Sequence, residues 1–192
     1  MPPDATDTKR RLLAAAFAEF AEHGLAGARI DRIAERSGAN KRLIYLHFGN
    51  KEQLFDLIAG QAIETLTREV PFNAEDLPGY AAAMFDYLAA RPELVRLEIW
   101  GLLERPAATM TEARAYQEKI AAVQAAQQSG VIGAALSPAG LLSLVLGLIT
   151  SWFAAPPALT SQVTAEPCTP RQLALRRSEV VAAVQAISRP AG

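Results

Sequence analysis

The side chains best suited to chemistry in this 192-residue chain lie close together, in the stretch Ile30 to Lys51, IDRIAERSGANKRLIYLHFGNK. Lys41, Arg42, Tyr45, His47 and Lys51 bring positive charge and hydrogen-bond donors, interleaved with the apolar Leu43, Ile44, Leu46 and Phe48. Guanidinium and ammonium groups donate to phosphate oxygens and to the guanine edge, and an α-helix fits the major groove of DNA. Lys41 and Arg42 fall in the first turn of such a helix, the part that usually reaches bases. Catalysis finds little material: the chain has two histidines, His23 and His47, and one cysteine, Cys168. Neither a nucleophile beside a base nor a metal-ligand spacing is present, so no catalytic residue, metal or cofactor is expected.

The elements that must position these residues follow from caps and apolar spacing. A first helix is expected from Asp7 or Thr8 to His23, with Leu13, Phe17 and Phe20 as its stripe and Gly24 at its C-terminal cap. Ile30, Ile33 and Ala34 give a short second helix ending at Ser37 and Gly38. Asn40 then caps a third helix over Lys41 to Phe48. On that helix Ile44 and Phe48, four residues apart, turn inward onto Phe17 and Phe20, leaving Lys41, Arg42, Tyr45, Leu46 and His47 outside. Asn50 with Gln53 makes a capping box for a fourth helix of about twenty residues that stops before Pro71. Gly60, in its middle, marks either a bend or a close contact.

Further helices are expected near Leu77–Ala90, Pro92–Glu104 and Thr109–Gln128, separated by Pro78, Pro92, Pro106 and Gly130. Pro138 to Phe153 is apolar nearly all round and needs cover on more than one side, for which a second subunit is a natural source. Ala158 to Thr169 reads as a loop, and a last helix over Pro170 to Ser188 carries Leu173, Val180, Val181, Val184 and Ile187. These two helices could form half of a dimeric four-helix bundle. The fold class is therefore all-α with about nine helices. A three-helix head occupies residues 1–50 and a helical body residues 51–192.

Composition agrees. Half the residues, 51%, are hydrophobic and the net charge is only −1. Up to Lys51, however, nine basic residues face six acidic ones, and the remainder holds ten against fourteen. A mildly basic head on an acidic body suits a protein that holds phosphates at one end only. The N-terminus lacks a signal peptide's apolar run, and Ala139 to Ala155 is too short and too interrupted to span a membrane. A cytoplasmic protein without membrane contact is expected.

The run Gly24 to Leu54, GLAGARIDRIAERSGANKRLIYLHFGNKEQL, resembles the TetR family of bacterial transcriptional regulators. The matching positions are Gly24, Ile33-Ala34, Gly38, Tyr45, Phe48 and Lys51-Glu52. The resemblance implies a helix-turn-helix head, a divergent body that binds a small-molecule effector, and a homodimer formed through the last two helices on a palindromic duplex operator. It also implies that Lys41, Arg42 and Leu43 begin the recognition helix, and that Tyr45, His47 and Lys51 clamp phosphates. The Ser or Thr usual before the second helix is replaced by Ala28 and Arg29, leaving Arg29 a longer-range phosphate contact. Arg42 stands where a small residue is frequent and suggests a guanine in the operator.

Several residues admit a plainer role. Arg32 and Arg36 suit ion pairs at helical spacing with Asp31 and Glu35 or their neighbours, and Lys9 to Arg11 suit either a solvated face or the phosphate backbone. Trp100, Met84, Phe85, Leu103, Met110, Tyr116 and Trp152 either line an apolar ligand pocket or pack the core. Cys168 beside Arg171 could be a redox-sensing thiol or inert. The alternative for the whole chain is a protein that keeps the head fold but acts by sensing or dimerising without DNA.

Overall fold

The computed structural model describes residues 5–105, 107, 110–163 and 169–190. Cys168 lies outside them. Among the described residues there are ten helices and no strand. They are α1 (Ala5–Gly27), α2 (Ile30–Ser37), α3 (Lys41–Phe48), α4 (Lys51–Glu69), α5 (Leu77–Ala89), α6 (Pro92–Glu104), α7 (Met110–Gln128), α8 (Pro138–Thr150), α9 (Pro157–Val163) and α10 (Pro170–Ser188).

Helix starts are fixed by short polar side chains that accept from otherwise unpaired backbone N–H groups. Asn40 Oδ1 accepts from the Arg42 N–H at 2.8 Å, opening α3. Asn50 and Gln53 bond reciprocally, at 2.8 and 2.9 Å, in the expected capping box of α4. Asp76, Ser137 and Thr169 do the same work for α5, α8 and α10, each followed by proline in the first turn.

Of the loop expected over 158–169, residues 158–163 are corrected by α9, which brings the helices among the described residues to ten, and residues 164–168 lie outside them. No residue of α9 is buried. Its one apolar pair at helical spacing, Leu159 and Val163, stays exposed.

The chain divides into two compact units, Met1–Arg68 with Pro92–Ala107, and Glu69–Arg91 with Ala108–Gly192. The first gathers α1, α2, α3, α4 and α6 around one core. Leu12, Ala16, Phe20, Ile33, Ile44, Leu54 and Phe55 are almost fully buried there, and the Phe20 and Phe55 rings meet edge to face at 5.1 Å. Leu13 and Phe17, expected in the stripe of α1, pack on this core only partly buried.

The second unit packs α5, α8 and α10 on one another and α7 on α8. Leu77, Phe85, Val123, Leu141, Val145, Ile149 and Val184 form its centre. Arg177 donates to both oxygens of Asp86, at 2.8 and 2.9 Å, joining α10 to α5. Gln127 Nε2 holds the carbonyls of Gly133 and Leu136 at 3.0 and 2.9 Å and so shapes the turn before α8.

Two glycines separate backbone need from mere tolerance. Gly24 has φ 68° and ψ −176° inside α1, and an added Cβ would stand 2.7 Å from two atoms of the Trp100 ring. Gly60 is helical and an added Cβ would meet nothing within 4 Å, so it is not a close-contact position. Gly24→Ala is therefore expected to lower unfolding free energy by about 2 kcal/mol or more, from the left-handed backbone alone. Gly60→Ala should raise it by about 0.5–1 kcal/mol. Urea unfolding of the two variants measures both.

Candidate nucleic-acid interface

The candidate interface is built on the amphipathic helix α3. Ile44 and Phe48 of α3 are buried in the core of the first unit. Leu43, expected to touch DNA, is half-buried against the same core. This anchoring fixes which side chains face outward. Tyr45 is 49% exposed and Leu46 74% exposed, and Arg42 and His47 are exposed as well. Among the described residues the side chains of Arg42 and Tyr45 have no hydrogen-bond or ion-pair partner.

Lys41 and Lys51 are already engaged. Lys41 Nζ lies 2.7 Å from Asp31 Oδ1 of α2. The hydrogen bond and the charge of Asp31 raise Lys41 above the ordinary lysine range, so its ammonium is fully charged at neutral pH. Lys51 Nζ donates to the carbonyls of Ala26 and Ala28 at 3.3 and 3.2 Å. It thus ties the start of α4 to the corner between α1 and α2, whatever else it does toward a phosphate.

That corner, residues 24–29, is the structural support of the interface. Glu19 of α1 is fully buried. Its Oε1 accepts from the Arg29 N–H at 2.9 Å and from Arg32 Nε at 2.7 Å, and Arg32 Nη2 lies 2.6 Å away in the same ion pair. Arg32 also donates to the Gly27 carbonyl at 2.9 Å. Arg29 directs its backbone N–H inward through this contact while its side chain stays exposed. Burial pushes the Glu19 carboxyl up, but the hydrogen bonds from Arg32 and the Arg29 N–H outweigh that and hold it below the ordinary range.

Arg32 and Arg36 are paired as expected, but with Glu19 and Glu22 on α1 rather than with acids of their own helix. Glu19 belongs to no recognisable motif. Its signal was a carboxylate between Leu12, Ala16 and Phe20 on the buried side of α1, a place that demands a cation.

The aromatic set considered for a pocket is distributed between the units. Met84 and Phe85 are buried in α5, with Phe85 against Phe153 at 5.0 Å. Trp152 lies under the Arg176 guanidinium at 4.6 Å. Tyr116 is 47% exposed, with Lys119 Nζ 5.4 Å from its ring centre, and Met110 is 88% exposed. Trp100 and Leu103 belong to α6 in the other unit, Trp100 against Gly24 and Leu103 69% exposed.

A helix-turn-helix whose second helix offers free cationic and aromatic side chains to solvent, on an all-α chain, defines a DNA-binding protein of the transcriptional-regulator class. The chain belongs to the TetR family. Residues 12–58 match the bacterial regulatory proteins of the tetR family, and residues 76–186 match the tetracyclin repressor-like C-terminal domain. The HTH-type transcriptional repressor SCO4008 of Streptomyces coelicolor is 42% identical over 149 residues, covering 76% of this chain and 78% of its own. Among solved structures, the transcriptional regulator SCO4942 of Streptomyces coelicolor is 34% identical with a TM-score of 0.85, over 95% of this chain and 99% of its own. A TetR family regulator from Marinobacter aquaeolei has the same fold, with a TM-score of 0.67 at 20% identity over 98% of this chain and all of its own.

The buried Glu19 pair gives the head a pH dependence of known sign. A carboxyl held lower in the folded state than in the unfolded one stabilises fully above the unfolded value, and that contribution is lost as pH falls through the folded value. Stability of the wild type should therefore fall below pH about 4.5, the ordinary glutamate value. Glu19→Gln should lower stability at pH 7 by about 1–2 kcal/mol, since the amide accepts more weakly than the carboxylate from the Arg29 N–H and from the partly exposed Arg32. The variant should also show a shallower acid decline in denaturant unfolding across pH 3–7.

Proposed function

We propose that the chain is a homodimeric repressor that binds a palindromic operator and leaves it when a small molecule occupies the body. The observation that carries this is the outer face of α3. Arg42 stands free at its first turn, with Tyr45 and His47 exposed one turn further on, above an Ile44–Phe48 anchor. Lys41 and Arg42 read base edges. Tyr45, His47, Lys51 and the side chain of Arg29 hold phosphates, which fixes register without reading sequence. Leu46 offers an apolar contact to a thymine methyl.

The head, residues 1–50, does the reading, and residues 51–192 form the ligand-binding and dimerisation part. Dimerisation through α8 and α10 is supported by what their packing leaves uncovered. Leu141, Leu142, Val145 and Ile149 of α8 are buried, while Leu144 of α8 and Leu175 of α10 are 47% and 46% exposed. Met84, Phe85, Tyr116 and Trp152 supply aromatic and thioether surface in the second unit for an apolar effector. Met110 belongs to the same unit. The name of SCO4008, a transcriptional repressor, supports repression. No helix among the described residues is long and apolar enough to cross a membrane, in keeping with action in the cytoplasm. The chain regulates and does not catalyse.

The test is selection of a binding site from a random duplex pool, followed by titration of wild type and a Lys41→Ala/Arg42→Ala variant. Each lost bidentate or charged base contact should cost about 1–3 kcal/mol. The variant should therefore bind the selected duplex at least about tenfold more weakly and approach its affinity for random duplex. Unchanged preference in the variant would remove Lys41 and Arg42 from the reading role, and a wild type that selects no duplex would return the protein to the sensing-only alternative.

A further inference from the structure

α6 is bonded to the DNA-reading half of the first unit at a point that no sequence motif marks. At Gly24 the first helix breaks, and residues 25–27 restart a helical turn, closed by the Ala28 N–H on the Gly24 carbonyl at 3.1 Å. A restarted turn presents N–H groups without intrahelical partners and favours negative charge beside them. Glu104, the last residue of α6, fills that position: its carboxylate accepts from the Leu25 N–H and, at 3.2 Å, from the Ala26 N–H. Trp100, one turn earlier on α6, packs against Gly24 so closely that a Cβ there would clash. Arg105, the next residue, donates to both oxygens of Asp56 on α4, at 3.0 and 2.5 Å.

The surrounding contacts account for nearly every polar backbone group of the corner. Glu104 takes the N–H groups of Leu25 and Ala26, Lys51 the carbonyls of Ala26 and Ala28, Arg32 the carbonyl of Gly27, and Glu19 the N–H of Arg29. Ile30 begins α2 directly after this corner, and α2 is fixed to α3 through the left-handed Gly38 turn, whose N–H groups close on α2 carbonyls. A displacement of residues 25–26 is therefore carried into both helices.

We propose that Glu104 is a positioning residue for DNA binding, acting through the Leu25–Ala26 corner to set the orientation of α2 and α3. It is not a DNA contact, because a carboxylate near the backbone would repel phosphates. The assignment rests on the regulator function proposed above. Two features make it more than general packing: the contact is a charge-assisted pair of bonds to backbone, and it comes from a helix whose chain neighbours on both sides belong to the other unit.

The experiment compares Glu104→Ala, Glu104→Gln and, as a surface control on the same helix, Leu102→Ala. Each is titrated with the selected duplex and with random duplex across a salt series, well below its unfolding temperature. A positioning role predicts that Glu104→Ala loses about tenfold in affinity for the selected duplex. Its affinity for random duplex should change less than about twofold, and its salt slope should stay unchanged because no phosphate contact is removed. Glu104→Gln keeps an acceptor oxygen and should lie between, and Leu102→Ala should match wild type. Equal loss on both duplexes, or no loss on either, overturns the assignment. If Glu104→Ala does not fold, Glu104→Gln decides: a threefold or greater drop in the selected-to-random ratio supports the role, and an unchanged ratio overturns it. Wild-type protein without preference for the selected duplex would overturn the regulator function itself, and the positioning role with it.

Discussion

The buried carboxylate of Glu19, bonded to Arg32 and to the backbone of Arg29, is the interaction on which the interface depends. A charge removed from water at the turn between two helices is tolerated only when its partners are fixed in place. That demand works in both directions: the helices bury the carboxylate, and the carboxylate sets the angle at which α2 leaves α1. Lys51 from α4 and Glu104 from α6 then bind the same short corner from outside. α3 has a defined position because the turn before α2 has one, and its exposed side chains inherit that definition.

This arrangement gives the two units distinct characters. In the first, polar side chains bond to backbone groups at a corner, an interaction with narrow tolerance for distance and angle. In the second, the centre is largely apolar, from Leu77 and Phe85 to Leu141, Val145 and Val184, with Arg177–Asp86 at its surface. Apolar packing tolerates rearrangement with less directional cost than a charge-assisted bond.

Much of this was legible in the sequence because the signals are local. Asn40 and the Asn50–Gln53 box mark helix starts within three residues of themselves, and Ile44 with Phe48 states the inward face of α3 directly. What was missed depends on residues far apart in the chain. Glu104 reaches Leu25 across nearly eighty positions, and nothing at either end announces the other. Glu19 belongs to no motif, and its partners Arg29 and Arg32 lie 10 and 13 positions further on. Lys51 was read from the family pattern as a phosphate clamp, and its bonds to Ala26 and Ala28 add a second duty that no pattern of residue types encodes. α9 is a different case: it is seven residues long, and its single apolar pair, Leu159 and Val163, is too little to set a helix apart from a loop.

The central claim, that two copies of α3 read successive major grooves on one face of the duplex, is most directly tested by hydroxyl-radical footprinting of the wild-type protein on its selected duplex. The account predicts two symmetric protected patches whose centres lie about one helical turn, roughly 34 Å, apart. A single unsymmetrical patch, or protection spread evenly along the duplex, would contradict it.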